Sequence, residues 1–178
     1  FQMCNIALEV WNCFLYTQDK RLLSEKVLLA MVETGRFHFI KDTCCDAALI
    51  ARRVELLKSR IQLFNANCAT FLETLKTGAD GFSGIMANYH PDLLRWLYTH
   101  YQSQPEKARR LSAMLSVMSL VEGCGHPAAV KYHMNLLGIP MELRCRSIDA
   151  AKRFGPLDRH AIDDLLIMEE ELRTWIKA

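Results

Sequence analysis

The first residues that could do chemistry lie in Phe37-His38-Phe39-Ile40-Lys41-Asp42-Thr43, which sets one ammonium at the end of an apolar run. Apolar walls desolvate the charge. Desolvation favours the neutral amine, the form that attacks a carbonyl to make a Schiff base. Bringing a lysine from about 10.4 to about 7.5 means roughly 4 kcal/mol of selective destabilisation of the ammonium. The ordinary reading stands beside this one: a lysine that reaches past a strand end into water, or pairs with Asp42. Two more polar clusters follow, Asn65-Ala66-Asn67 and the stretch from Ser83 to Asn88. Each also suits capping and turn formation.

The elements that position these groups can be read from periodicity. Ile6–Trp11, Phe37–Lys41, Ile61–Phe64 and Gly81–Met86 read as short strands. Helical spacing falls between and after them, at Ser24–Thr34, Asp46–Lys58, Cys68–Leu75 and Pro91–Tyr101. Ser24 suits an N-cap, Gly35 a stop, and Pro91 a first helical position. Ala47, Ile50, Val54 and Leu57 form the expected apolar stripe of the second helix. Strand and helix alternating through short loops imply right-handed crossovers and a parallel sheet. Chemistry in such sheets sits at the carboxyl ends of the strands, where Lys41, Thr43, Asn65, Asn67 and Ser83 fall on one rim. After Tyr101 the strands stop, and Pro105–Val121, Pro127–Leu137 and Leu157–Ile176 read as three further helices.

Composition removes several function classes. With 22 basic and 20 acidic residues in 178, the net charge is +2 and no like-charge block stands out, so nucleic acid and membrane surfaces have no electrostatic support. No GxGxxG or GxxxxGK run offers a phosphate cradle. No run approaches the ~18 apolar residues of a membrane span. Cys124 and His126 are a close pair of metal-ligand type without a second pair, so no metal is expected. The seven cysteines, none in a CxxC pair, fit reduced thiols and a cytoplasmic location. His90, His100, His126, His133 and His160 read as isolated core or surface residues. Met114, Val117, Met118 and Val121 read as a core or subunit-interface stripe. Arg144 and Arg146 suit either an entrance or a partner surface.

The stretch Leu22 to Asp46 resembles the dihydrodipicolinate synthase/N-acetylneuraminate lyase family of class I, (β/α)8-barrel aldolases. Ile40-Lys41-Asp42-Thr43 matches the family's Schiff-base lysine at the end of the sixth barrel strand. Leu63-Phe64-Asn65-Ala66-Asn67 looks like the seventh strand. Gly78-Ala79-Asp80-Gly81-Phe82-Ser83-Gly84-Ile85 looks like the eighth, and Val130-Lys131 to Leu137-Gly138-Ile139 is similar to the C-terminal helical region.

The resemblance implies an α/β fold: the last four βα units of a (β/α)8 TIM barrel over residues 1–104, then a C-terminal helical extension over 105–178. It implies a lyase or synthase that condenses a 2-oxo acid such as pyruvate with Lys41 and pairs it with an aldehyde, as a homo-oligomer (tetramer or dimer). Thr43, Asn65, Asn67 and Ser83 are the implied substrate-binding residues. No cofactor and no metal are implied, because the imine is itself the electron sink. The family's proton-relay tyrosine falls on Trp11 if the strand Ile6–Trp11 is aligned, or on Tyr16 if the chemistry is preserved. A full barrel takes about 250 residues, so the sequence reads as the C-terminal part of a longer chain or a half that assembles with another. The alternative function is a truncated or non-catalytic member serving as an assembly module.

Overall fold

The structure is a computed structural model and describes residues 22–57, 60–146 and 148–178. The expected strand Ile6–Trp11, with Trp11 and Tyr16, lies outside the described residues. The chain divides into two compact units, one ending at Gly84 and one running from Ile85 to Ala178.

The first unit alternates helix and strand. Helix α1 (Glu25–Thr34) starts where the Ser24 hydroxyl accepts from Val27 N at 3.4 Å and ends at Gly35, whose φ of 61° is left-handed. Then come β1 (Phe39–Asp42), α2 (Ala47–Leu57), β2 (Gln62–Asn65), α3 (Cys68–Lys76) and β3 (Gly81–Phe82). The strands form one parallel sheet in the order β1-β2-β3, as expected from the βα alternation. Along β1 and β2 alternate side chains are buried, in phase: Ile40 and Asp42, Leu63 and Asn65. Ile40 and Leu63 belong to a core with Leu28, Met31, Val32, Ile50, Leu57, Ile61 and Ala79. Each fully buried aliphatic side chain there contributes about 1.5–3 kcal/mol.

Two elements differ from the sequence reading. In α2 the fully buried row is Ile50, Arg53 and Leu57, with Val54 only partly covered. The helix thus turns a guanidinium into the layer where an aliphatic stripe is expected. The expected strand Gly81–Met86 pairs only over Gly81–Phe82. Ser83 N makes the last bond to that edge, to Asn65 O at 2.8 Å. A Cβ on Gly84 would lie 2.2 Å from Ala66 O, so the chain passes hard against the β2–α3 loop there. Beyond it Ile85–Asn88 is 3-10 helix.

The second unit is helical: α4 (Pro91–His100), α5 (Pro105–Met118), a 3-10 turn (Ser119–Gly123), α6 (Ala128–Leu136), the short α7 (Ala150–Arg153) and α8 (Pro156–Lys177). Proline opens α4, α5 and α8, where its missing N–H costs nothing. The buried row of α5 is Ala108, Leu111, Leu115 and Met118. Met114 and Val117, read with Met118 as a core or subunit-interface stripe, are exposed because the helix period turns them off the buried row, so they do not belong to the core of this unit. Lys107 Nζ lies 5.8 Å from the Trp96 ring and 5.4 Å from the Trp175 ring, tying α5 to α4 and α8. Among the described residues no helix is long and apolar enough to cross a membrane.

Candidate active site

Strand register decides which residues share a face. Lys41 pairs with Phe64, and Phe64 with Gly81. The three form one row across the carboxyl ends of the strands, on the face turned away from the aliphatic core. Phe39 and Phe64 meet edge to face on that side, with ring centroids 6.0 Å apart. A Cβ on Gly81 would lie 2.9 Å from the Phe64 ring, so any side chain there would crowd that ring. Lys41 is half-buried near the end of β1, in register with Phe64.

The next row, Asp42–Asn65–Phe82, has Asp42 and Asn65 buried on the helix side. Asp42 is paired with Arg53 of α2, and its Oδ1 accepts from Cys44 N at 2.9 Å. Burial first, and then the Asp42 charge, pushes the neighbouring Cys44 thiol up to about 12. Asn65 donates from Nδ2 to Thr70 Oγ1 at 2.9 Å and Thr74 Oγ1 at 3.0 Å, and its Oδ1 accepts from Asn67 N at 2.8 Å. Asn67 caps α3, accepting from Thr70 N at 3.1 Å. Thr43 and Ser83 are half-buried in the loops that leave β1 and β3. Lys41 thus lies near the end of β1, Thr43 and Ser83 follow β1 and β3 in their loops, and the Asn65 side chain turns toward α3.

The family model for the dihydrodipicolinate synthetase family matches residues 7–150. The chain belongs to this family. No curated protein matches it. Among solved structures it is similar to a monomeric dihydrodipicolinate synthase variant at 24% identity and TM-score 0.70, covering 83% of this chain and 50% of that one. The 4-hydroxy-tetrahydrodipicolinate synthase of Methylacidiphilum fumariolicum SolV gives 21%, 0.72, 86% and 51% in the same order. The N-acetylneuraminate lyase of Fusobacterium nucleatum, solved with pyruvate, gives 16%, 0.69, 80% and 48%. The chain therefore spans about half the length of the structures it matches. Its fold is that part of the family's (β/α)8 barrel that ends in the C-terminal helices.

The family member also carries a polar cluster that the sequence reading missed. In the second unit Glu169 of α8 accepts from two histidines, with His90 Nδ1 at 3.0 Å from Oε1 and His133 Nε2 at 3.0 Å from Oε2. All three are fully buried. Arg173 Nη2 lies 3.6 Å from Oε2, and the same guanidinium holds Asp92 at 2.7 Å. Burial raises the Glu169 carboxyl, but the hydrogen bonds from His133 and His90 outweigh it and hold the group below its ordinary range. The Tyr89 ring packs on His133 at 4.9 Å, and burial pushes its hydroxyl above its usual value. No group of three or more metal-ligand side chains is arranged to hold an ion among the described residues.

Proposed function

We propose that the chain is the lysine-bearing part of a Schiff-base-forming carbon–carbon lyase or synthase acting on a 2-oxo acid such as pyruvate. The observation that carries this reading is the row Lys41–Phe64–Gly81, which puts one amine at the carboxyl end of a parallel strand beside an aromatic surface. Membership of the family and the fold shared with a lyase solved with pyruvate support it.

The neutral Lys41 amine attacks the keto carbon, and the carbinolamine takes a proton on its hydroxyl and loses water to give a protonated imine. The iminium then withdraws the electron pair from the adjacent carbon, either as a C–H bond loses its proton or as a C–C bond breaks to release an aldehyde. In the synthetic direction the resulting enamine attacks an aldehyde carbon. Tyr16 is the candidate proton relay. Thr43 and Ser83 flank the substrate, and Asn65 and Asn67 serve it by fixing the β2–α3 turn. The imine supplies the electron sink, so the scheme uses no metal or cofactor. The protein works in the cytoplasm as a homo-oligomer.

Borohydride reduction in the presence of pyruvate tests the reading. A reduced pyruvate adduct mapped to Lys41 is expected, and an unmodified Lys41 in folded protein overturns it. The alternative reading is a non-catalytic family member serving as an assembly module. Such a module self-associates and leaves Lys41 unmodified in the same assay.

A further inference from the structure

We infer that Arg53 is a positioning residue for the imine chemistry, acting through Asp42 on the strand end that carries Lys41. The inference rests on the imine reading of Lys41. Arg53 projects from α2 into the core layer and is only 4% exposed. Its guanidinium joins three segments: Nη1 pairs with the Asp42 carboxylate at the end of β1, Nη2 donates to Leu23 O at 3.3 Å just before the cap of α1, and the side chain itself belongs to α2.

Asp42 is held from every side. Its Oδ2 takes Arg53, its Oδ1 takes Cys44 N, and its carbonyl accepts from Ala66 N at 2.9 Å in the β2–α3 loop. Because successive side chains in a strand point to opposite faces, fixing Asp42 on the helix side aims Lys41 at the other. The same bonds set the course of the chain through Thr43 and Cys44. A 4-residue strand has little ladder of its own to hold its last residues, so the pair supplies the constraint that the strand cannot.

Energetics point the same way. A buried ion pair is commonly replaced by apolar residues of like volume with little or no loss of stability. Stability alone therefore gives no reason to bury this one, whereas the orientation of an attacking amine does: misplacement by about 1 Å costs up to ~100-fold in rate.

The experiment compares the chain with D42N/R53L, which removes both charges together, and with Arg53→Lys, which keeps the cation but cannot also reach Leu23 O. Three quantities are read: the denaturation midpoint, the pyruvate concentration for half-maximal trapping, and the limiting rate of borohydride-trapped adduct at Lys41. The expected result for D42N/R53L is a midpoint near the parent's, half-saturation within about twofold, and a limiting rate lower by about tenfold or more. Arg53→Lys falls between the two. A folded D42N/R53L that traps at the parent rate overturns the inference and leaves the imine reading intact. If D42N/R53L does not fold, Arg53→Lys decides alone, and the parent rate in that variant overturns the inference. A folded parent that gives no adduct overturns the imine reading and the inference with it.

Discussion

Replacing Glu169 with leucine removes the acceptor that His90 and His133 share. Both rings are fully buried, and each points one N–H at the carboxylate over 3.0 Å. The substitution leaves two buried donors without a partner, at about 1–3 kcal/mol each. Breaking a buried pair by deleting one partner costs about 3–5 kcal/mol by direct precedent, so about 4 kcal/mol is the working figure. Arg173 keeps Asp92 at 2.7 Å and stands partly exposed, so its lost 3.6 Å contact adds little. For a unit of this size 1 kcal/mol moves the midpoint by roughly 4–8 °C, giving a fall of about 15–30 °C. Far-UV circular dichroism at 222 nm during heating reads it, since the unit from Ile85 onward is helical. The triple replacement His90→Phe, His133→Leu and Glu169→Leu removes donors and acceptor together, and is expected to regain most of the loss. A Glu169→Leu protein that melts within about 4 °C of the parent would refute the reasoning, because two buried orphan donors cannot be that cheap.

Acid is expected to weaken the same unit. The carboxyls of Glu169 and Asp92 are both raised by burial and lowered further by their partners, His133 with His90 and Arg173, and both end below their ordinary values. The folded state then binds fewer protons than the unfolded one. The stability from these groups is full above about 4.5 and lost as pH falls through the folded values, and a midpoint that rises between pH 5 and 3 contradicts this. Gly84→Ala brings a Cβ to 2.2 Å from the Ala66 carbonyl, and a loss of about 1–3 kcal/mol in urea unfolding is expected; an unchanged midpoint counts against the close approach. Half-burial and the Asp42 charge push the Cys44 thiol up to about 12, so iodoacetamide at pH 8 is expected to label exposed Cys45 at least tenfold faster in peptide mapping, and equal labelling contradicts that shift.

The order of elements in the described residues was legible because the signals are local. Ser24 and Gly35 bound α1, proline opens α4 and α5, and the βα alternation announces a parallel sheet. Local signals failed where a distant backbone decides. Gly81–Met86 has the composition of a strand, but pairing stops at Phe82, and at Gly84 the chain passes too close to Ala66 O, a neighbour only through the sheet, to admit a side chain. Arg53 has the composition of a solvated helix face, but the carboxylate that draws it inward lies on β1. The buried histidines were illegible for the same reason, since Glu169 stands 79 residues from His90 and 36 from His133.

The candidate site shows where a sharper reading was available. Lys41 and Asn65 both look like polar residues at strand ends, and the sequence reading puts them on one rim. They belong to opposite faces, and the face follows from phase rather than position. Ile40-Lys41-Asp42 and Leu63-Phe64-Asn65 are each an aliphatic residue, a second residue and a polar one. Aligning Ile40 with Leu63, the residues most at home in a helix-covered layer, sets Lys41 beside Phe64 and Asp42 beside Asn65, which is the observed register. The period-2 rule then sends Asp42 and Asn65 inward together. An inward aspartate demands a buried cation, and α2 offers Arg53 between Ile50 and Leu57 on its buried row. The pairing of Asp42 with Arg53, and with it the outward aim of Lys41, follows from two aliphatic residues and a strand's alternation, with no reference to what the lysine does.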